Sequence, residues 1–298
     1  MEIQNLITEM QNKATTHIDT MSTIEMVKII NQEDQKVALA VSTQEHKIAQ
    51  AIDEAAKHYS QDGRLIYVGA GTSGRLGVLD AAELVPTYGI NPERAVGIIA
   101  GGKQALFQAV EGAEDSPKLG YIDLRKINLN KHDTVLGLAA SGRTPYVIGC
   151  LDYANQVGAL TVSIACVSNS NISKHAEIGI EAVVGPEVIT GSTRMKAGTA
   201  QKMILNMIST GVMIKQGKVY QNVMINVQPT NQKLLDRACR IINAVTGSTT
   251  KDAASILAQA DNNVALAIVM IKTVKNKKAA AELLDTCHGN ISQVLRED

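Results

Sequence analysis

Five short apolar runs mark the middle of the chain, and each of them ends in small residues. They are RLIYVGAG (64–71), AVGIIAGG (95–102), TVLGLAASG (134–142), LTVSIACVS (160–168) and IGIEAVVG (178–185). Stretches with a helical spacing of apolar residues separate them. Apolar strands that alternate with helices are typical of a parallel sheet covered on both faces. The pattern therefore predicts an α/β fold with a doubly wound parallel sheet, which binds ligands at the carboxyl ends of its strands.

Helical patterns flank the predicted sheet on both sides. Residues 22–60 carry apolar side chains at steps of three and four, and Ser22 or Thr23 with Glu25 predicts a capping box at the start. After the sheet, one amphipathic stretch closes on Gly247 and three shorter helical stretches follow it. We predict an N-terminal helical segment (1–54), a ligand-binding sheet domain (55–225) and a small C-terminal helical subdomain (226–298).

The turn after the first predicted strand formally matches a dinucleotide-binding fingerprint. Gly69-Ala-Gly71-Thr-Ser-Gly74 fits G-x-G-x-x-G. A dinucleotide site also needs an acidic residue at the end of the second strand, where it holds the ribose hydroxyls. That strand runs into Ala-Gly-Gly at 100–102 and has no acid there. We therefore do not expect NAD at this turn.

The same turn has a second copy in the chain. Residues 64–83 resemble residues 133–152, because each segment is an apolar strand, a small-residue turn with Ser-Gly-Arg, and a helix. Hydroxyl groups and unpaired N–H groups at a helix start favour a phosphate. Two such turns at neighbouring strand ends predict a cradle for one phosphomonoester; alternatively, the glycines only make tight turns and the hydroxyls only cap helices. The candidate phosphate ligands are Gly71, Thr72, Ser73, Ser141, Gly142 and Thr144.

A third hydroxyl-rich turn precedes the long helix predicted after the fifth strand. Ser192 and Thr193 stand before this helix, and Arg194 and Lys196 follow them. Either hydroxyl suits an N-cap, and either cation suits an anion. We count Ser192 and Thr193 among the candidate phosphate ligands; the alternative is a capped helix with two solvated cations.

Composition narrows the possible partners. The formal net charge is zero, aromatic residues make up 3% of the chain and Trp is absent. Neither a nucleic acid nor an anionic membrane surface is therefore expected as a partner. The polar first residues are unlike a signal peptide, and no apolar run reaches transmembrane length.

Cysteine and histidine spacing bears on metals and on the cellular compartment. The four cysteines, Cys150, Cys166, Cys239 and Cys287, form no C-x-x-C pair. Scattered single cysteines predict free thiols and a cytoplasmic protein. The six histidines show no metal-ligand spacing, so no metal site is expected.

The motifs taken together resemble the sugar-isomerase (SIS) domain proteins of the glucokinase-regulatory-protein group. Within that group the chain closely resembles the N-acetylmuramic acid 6-phosphate etherases, over essentially its whole length. Residues 185–202 mark the wider group, whereas the glutamate-bearing stretches 67–89 and 101–116 make the etherase likeness specific. Residues 8–34 and ASGRTPYV (140–147) also carry the resemblance.

The resemblance implies an SIS-type sheet, a ubiquitin-associated-type (UBA-like) C-terminal bundle, and a homodimer with the N-terminal helices at the subunit boundary. Two departures from the family pattern stand out. The N-terminal run Glu9-Met10-Gln11-Asn12-Lys13 lacks the arginine and the proline of the usual Glu-Gln-Arg-Asn-Pro-like run. Ala139 stands where SIS isomerases often carry a serine. The phosphate is then expected to rest on Ser73, Ser141 and Thr144 with backbone donors.

The implied activity is cleavage of the lactyl ether at C3 of N-acetylmuramic acid 6-phosphate, which gives N-acetylglucosamine 6-phosphate and D-lactate. Direct hydrolysis of an alkyl ether is slow because its leaving group is an alkoxide. In the ring-opened sugar, however, the C1 aldehyde acidifies the C2 proton, and the lactate sits β to C2. Elimination followed by water addition then breaks the ether, and this route needs no metal or redox cofactor.

Glu83 and Glu114 match the catalytic acids of the family. We assign Glu83 as the acid that protonates the lactate oxygen and Glu114 as the C2 base; because water adds back afterwards, each can also serve in the other direction. Burial of a glutamate can bring its pKa near neutral pH. Without the resemblance, Glu83 is interpreted as a helix-surface acid. Glu114 is then a member of a solvated acidic cluster with Glu111 and Asp115.

Two other functions fit the phosphate turns. A non-catalytic sugar-phosphate sensor needs the turns but not the two glutamates. An aldose–ketose isomerase needs a C2 base but leaves the ether intact. The glutamates in their motif stretches favour the etherase over the sensor.

Overall fold

The computed structural model describes residues 7–226 and 231–297. The chain divides into two units. One holds the described residues up to Ala82 together with Pro92–Ser209, and the other holds Glu83–Asn91 and the described residues from Thr210 onward. The domain boundaries predicted after residues 54 and 225 stay a prediction.

A five-stranded sheet forms the centre of the first unit. Its strands are β1 (Leu65–Gly69), β2 (Ala95–Ile99), β3 (Thr134–Leu138), β4 (Leu160–Ala165) and β5 (Ile178–Glu181). Their order in the sheet is β2-β1-β3-β4-β5, and every neighbouring pair is parallel. Each predicted apolar run contains one of these strands. The predicted doubly wound parallel sheet is therefore confirmed.

Helices connect the strands and precede the sheet. They are α1 (Thr23–Ser42), α2 (Glu45–Ser60), α3 (Gly71–Tyr88), α4 (Pro117–Lys126), α5 (Pro145–Val157) and α6 (Lys196–Lys215), of which α3 and α6 continue into residues of the second unit. The predicted capping box is confirmed, because the Ser22 N–H donates to Glu25 Oε2 at 2.8 Å.

Residues 22–60 are helical, as the sequence predicts, but they do not form one continuous helix. The structure has two helices, separated at Thr43 and Gln44. The hydroxyls of Ser42 and Thr43 donate to the carbonyls of Leu39 and Ala40 at 2.8 and 2.7 Å. Hydroxyl side chains of this kind compete with the backbone hydrogen bonds that would continue a helix. The apolar spacing alone carries no sign of this break.

The core of the first unit lies on both faces of the sheet. All residues of β1, β3 and β4 are buried. Helix α5 adds Tyr146, Val147 and Leu151, which are fully buried. Strands buried on both faces need continuous rather than alternating apolar residues, which explains the runs in the sequence. This rigid layer holds the turns at the carboxyl ends of the strands.

The second unit is a small hairpin followed by helices. The elements are β6 (Val219–Tyr220), β7 (Val223–Met224), α7 (Gln232–Thr246), α8 (Thr250–Gln259), α9 (Val264–Thr273), α10 (Lys277–Thr286) and α11 (Ile291–Glu297). The four predicted helical stretches are confirmed as α7–α10. The hairpin and α11 were not predicted, because two-residue strands and a seven-residue helix are too short to show a clear period.

Local capping explains why the second unit breaks into short helices. Asn231, Thr249, Asn263 and Asn276 each accept a hydrogen bond from the backbone N–H three residues later. Helix α9 is the apolar centre of the bundle, with Ala267, Ile268 and Val269 fully buried. In residues 7–226 and 231–297 no single helix is long and apolar enough to span a membrane; α8 and α9 meet that criterion only as a pair bent by 111°.

Candidate functional site

The two Ser-Gly-Arg turns lie side by side at the edge of the sheet that the carboxyl ends of the strands form. The first turn (70–75) follows β1, the second turn (139–144) follows β3, and β1 pairs with β3 in parallel. The chain adds β2 on one side of β1 and β3 on the other, so the connections reverse direction between β1 and β3. Open α/β sheets bind ligands at such a switch point. The prediction that both turns meet at neighbouring strand ends is confirmed.

The glycines of the first turn allow α3 to pack closely on β1. A Cβ atom at Gly74 would lie 2.6 Å from the Gly69 carbonyl oxygen and 2.7 Å from Ile99 Cγ1. Gly71 has φ +52°, with open space where a Cβ would lie. The fingerprint spacing thus has a packing reason that needs no dinucleotide. Gly71 leaves the backbone of the helix start accessible.

Ser73 does not face open space at the helix start. The residue is 8% exposed, and its hydroxyl donates to Gln201 Oε1 at 2.7 Å. Gln201 is fully buried on α6, and its Nε2 donates to the Ile164 carbonyl at 3.4 Å. Since a carbonyl only accepts, this contact fixes the amide with its oxygen toward Ser73. The hydroxyl proton of Ser73 is therefore used inside the protein, whereas Thr72 is half-buried at the same helix start.

The first cleft opens beside the first turn and has a volume of about 230 Å³. Its lining includes Gly71, Arg75, Glu111 and Glu114. Arg75 is held in place, because its Nε donates to the Leu106 carbonyl at 3.0 Å and its Nη2 donates to the Ala105 carbonyl at 2.8 Å. A guanidinium has five N–H donors, so three are not used by these two bonds.

Glu114 is tied to the start of α5 through its backbone carbonyl. The N–H of Tyr146, the second residue of α5, donates to the Glu114 carbonyl at 2.9 Å. The Glu114 side chain is exposed and lines the first cleft. The structure therefore brings Glu114, Gly71 and the start of α5 to one edge of the sheet. Sequence spacing alone did not show this arrangement.

The second turn packs closely against the loop after β4. Gly142 has φ +68°, and a Cβ there would lie 2.5 Å from Ser170 Cβ. Thr144 is the N-cap residue of α5, but its side chain makes no capping hydrogen bond, and Pro145 follows at the first helical position. The Thr144 hydroxyl is thus not used to cap the helix. Ser141 and Thr144 are both half-buried.

The second cleft lies beside the second turn and has a volume of about 320 Å³. Its walls are the second turn and the loop after β4, and its lining includes Ser141, Arg143, Ser168 and Lys174. The Nη1 atom of Arg143 is buried and has no hydrogen-bond partner among the described residues. Two cations and several hydroxyls with no acid among the lining residues make this cleft positive.

At the third turn (191–194), a carboxylate of the protein already takes the N–H groups at the start of α6. The first amides of α6, from Lys196 and Ala197, donate to the two carboxylate oxygens of Glu187 at 3.0 and 2.9 Å. Glu187, and not Ser192 or Thr193, therefore caps α6. Both hydroxyl residues are half-buried. Burial raises the pKa of Glu187, and the two amides and the nearby Lys196 charge partly oppose that rise.

Lys196 meets a carboxylate of this chain instead of a ligand. Its Nζ lies 2.6 Å from Glu33 Oε2, and the two residues are 1% and 3% exposed. Burial raises the pKa of Glu33, but the hydrogen bonds and charges of Lys196 and Lys36 outweigh it and bring the pKa below its ordinary value. The predicted anion contact of Lys196 is thus internal, whereas Arg194 is exposed.

Glu83 lies on α3 in the second unit, and its side chain is exposed. Glu114 is exposed as well. The expectation that burial tunes these two carboxyls is therefore not met within a single chain. The pairing of Glu83 with Glu114 remains a prediction from the family motifs.

One of the four cysteines, Cys166, lies at this edge of the sheet. All four are free and buried, as the sequence predicts. Burial raises the pKa of Cys166, directly after β4, to about 12. It remains a protonated thiol at neutral pH, which excludes it as a thiolate nucleophile.

Four residues of the site were not predicted from the sequence. Arg75 and Arg143 were visible as part of the duplicated Ser-Gly-Arg, but no role was assigned to them. Lys174 and Gln201 carried no local signal, since each reaches the site only through the packing of a distant element.

Comparisons with known proteins agree with this picture. Residues 47–155 match the N-terminal SIS domain of glucokinase regulatory protein, residues 118–210 match the SIS domain, and residues 221–283 match the C-terminal lid domain of glucokinase regulatory protein. The N-acetylmuramic acid 6-phosphate etherase of Lactobacillus gasseri is 70% identical over 297 residues, which cover 100% of both chains.

Two further relatives carry the same description. The etherase of Lactobacillus acidophilus is 68% identical over 298 residues and covers 100% of both chains. That of Clostridium beijerinckii is 56% identical over 297 residues, which are 100% of this chain and 98% of the relative.

Proposed function

Because the chain belongs to the N-acetylmuramic acid 6-phosphate etherase family, we propose that it cleaves the lactyl ether of N-acetylmuramic acid 6-phosphate by elimination and water addition. The products are N-acetylglucosamine 6-phosphate and D-lactate. The observation that carries this mechanism is the first cleft, in which Glu114 stands beside the first turn at the switch point of the sheet.

Glu114 is assigned as the base that removes the C2 proton. Its backbone is fixed by the Tyr146 N–H, while its side chain lines the cleft. The electron pair of the C2–H bond forms the C2–C3 double bond and expels the lactate oxygen from C3. Water then adds to C3 and a proton returns to C2.

Glu83 is assigned as the acid that protonates the departing ether oxygen. An alkoxide is a poor leaving group, so proton transfer to that oxygen lowers the barrier. This assignment is supported by the etherase-specific stretch 67–89, which contains Glu83.

The phosphate of the substrate is assigned to the second turn, with Ser141, Gly142 and Thr144 as ligands. The Thr144 hydroxyl, which does not cap α5, and the positively charged lining of the second cleft support this assignment. Gly71 and Thr72 contribute from the first turn. Ser73 supports that turn through Gln201. Ser192 and Thr193 stay candidates without a supporting contact, because Glu187 already occupies the helix start behind them.

A homodimer in the cytoplasm is part of the proposal. Helix α1 exposes Ile24, Val27 and Leu39 by 60, 57 and 70% in the single chain, which is typical of a surface that a second copy covers. Free buried cysteines suit a reducing compartment.

The sensor and isomerase functions are not favoured, because full-length relatives of this chain are etherases. The roles of the two glutamates are separated by an exchange experiment. Glu114→Gln should lose both lactate release and exchange of the substrate C2 proton in D₂O, followed by NMR. Glu83→Gln should lose lactate release by about 10²–10⁴-fold and keep C2 exchange.

Asp115→Asn is the matched control, since Asp115 is an exposed acid in the same turn as Glu114. It should release lactate at the wild-type rate. C2 exchange in Glu114→Gln together with its loss in Glu83→Gln would reverse the two roles. Wild-type lactate release in both glutamine variants would remove the two residues from the mechanism.

A further inference from the structure

The duplicated Ser-Gly-Arg motif places one arginine on each of the two clefts. Arg75 lines the first cleft and Arg143 lines the second cleft. The proposed substrate also carries two anions, the lactyl carboxylate at C3 and the phosphate at C6. We propose that the two arginines divide these anions: Arg75 binds the lactyl carboxylate, and Arg143 with Lys174 binds the phosphate. This inference rests on the proposed function.

The first argument concerns the chemistry of the first cleft. If Glu114 removes the C2 proton, then C3 and its lactyl group lie next to C2 and therefore in or beside this cleft. Glu111 and Glu114 both line it, so a carboxylate that enters meets two like charges. Arg75 is the cation among the described lining residues. It is the group that can offset this repulsion.

The second argument concerns the preorganisation of Arg75. Two of its nitrogens donate to the carbonyls of Ala105 and Leu106, which fixes the plane of the guanidinium. The remaining donors keep a defined direction and the side chain loses little further freedom when an anion binds. A carboxylate is the planar acceptor that such a fork recognises.

The third argument concerns the second cleft. The Arg143 Nη1 atom is buried without a partner among the described residues, and leaving such a donor unpaired is costly. Lys174 adds a second positive charge, and the lining residues include no acid. A dianionic phosphate balances both charges. Ser141 belongs to this cleft and to the second turn, so a phosphate held there stays in reach of the start of α5.

The wall of the second cleft is built by hydrogen bonds. The N–H groups of Asn169 and Ser170 donate to the Glu181 carboxylate, both at 2.8 Å. The Ile172 N–H donates to the Gly142 carbonyl at 2.9 Å. The loop that carries Lys174 is thus fastened both to β5 and to the second turn.

Two ligands that each keep one anion test this division. N-acetylglucosamine 6-phosphate has the phosphate and no lactyl group, and N-acetylmuramic acid has the carboxylate and no phosphate. Each is measured as a competitive inhibitor of lactate release. Arg75→Gln should raise the inhibition constant of N-acetylmuramic acid about tenfold or more and change that of N-acetylglucosamine 6-phosphate less than threefold. Arg143→Gln should do the reverse, and Lys174→Gln should follow Arg143→Gln more weakly.

Arg125→Gln is the matched control, because Arg125 is exposed on α4 and lines neither cleft. It should change neither inhibition constant. Thermal unfolding checks each variant; if Arg75→Gln does not fold, Arg75→Lys keeps the charge without the fork and should weaken N-acetylmuramic acid selectively.

Swapped selectivity, equal weakening of both inhibitors, or no weakening would each overturn the division. Failure of N-acetylmuramic acid to inhibit the wild-type protein would overturn the role of Arg75. Absence of lactate release from the wild-type protein would instead overturn the proposed function.

Discussion

The helix starts of α5 and α6 look alike in sequence and differ in what holds them. Both follow a strand, and both carry glycine, serine, threonine and arginine just before the helix. At α6 the Glu187 carboxylate takes the first two amides, and the buried pair of Lys196 with Glu33 lies behind it. At α5 the Thr144 hydroxyl makes no cap and Arg143 Nη1 has no partner among the described residues.

This difference separates structural turns from binding turns. A helix start favours a negative charge, and the protein can provide that charge itself. Where it does so, as at α6, the site is already filled. Where it does not, as at α5, the Tyr146 N–H goes to a backbone carbonyl and the Thr144 hydroxyl is left for a ligand. The motif alone does not tell these two uses apart, whereas the position of the nearest carboxylate does.

The largest effect is expected when the internal charge pair of α6 is broken. Lys196→Met leaves the buried Glu33 with the exposed Lys36 as its ion-pair partner. Loss of one partner of a buried ion pair costs about 3–5 kcal/mol of unfolding free energy. Urea unfolding measures it, with the exposed Lys202→Met as control. A stable Lys196→Met variant with a raised KM would mean that this lysine binds substrate.

A smaller effect should separate the serines of the two Ser-Gly-Arg turns. Ser73→Ala leaves the buried Gln201 Oε1 without its donor, so it should lower the unfolding free energy by about 1–3 kcal/mol. Ser141→Ala should change stability by less than about 0.5 kcal/mol and raise KM roughly tenfold. Unfolding curves and steady-state kinetics of both variants test this contrast. Equal KM effects with no loss of stability would contradict it.

The smallest effect is a pH dependence of the unfolding free energy. It comes from Glu33 on α1, which pairs with Lys196 at the start of α6. The pKa of Glu33 lies below its ordinary value in the folded protein, so its ionised form stabilises the fold. That contribution is complete above the unfolded pKa of about 4.3 and is lost as pH falls through the lower folded value. The stability difference between wild type and Glu33→Gln should therefore shrink below about pH 4. A difference that stays constant down to pH 3 would contradict the role of this carboxylate.

The sheet was predictable because its signals are local. The residues of β1, β3 and β4 are buried on both faces, so each strand shows as a continuous apolar run. The duplicated turn was also predictable, because its Ser-Gly-Arg motif is contiguous in the sequence. The break between α1 and α2 was not, because it depends on the hydroxyls of Ser42 and Thr43.

The site was predictable only in part, since its contacts join distant positions. Ser73 and Gln201 are 128 positions apart, and Glu33 and Lys196 are 163 positions apart. No local pattern shows which helix start will receive a carboxylate from elsewhere in the chain. For this reason Ser192 and Thr193 looked equivalent to Ser141 and Thr144 in the sequence, and the structure distinguishes them.

The most direct test of the proposed chemistry is turnover of N-acetylmuramic acid 6-phosphate in ¹⁸O-labelled water, with mass spectrometry of both products. Elimination breaks the bond between C3 and the ether oxygen, so the lactate keeps its original hydroxyl oxygen and the sugar takes its C3 oxygen from water. The account predicts ¹⁸O at the C3 hydroxyl of N-acetylglucosamine 6-phosphate and none in the lactate hydroxyl. Label in the lactate hydroxyl would place the break on the other side of the ether oxygen and contradict the mechanism.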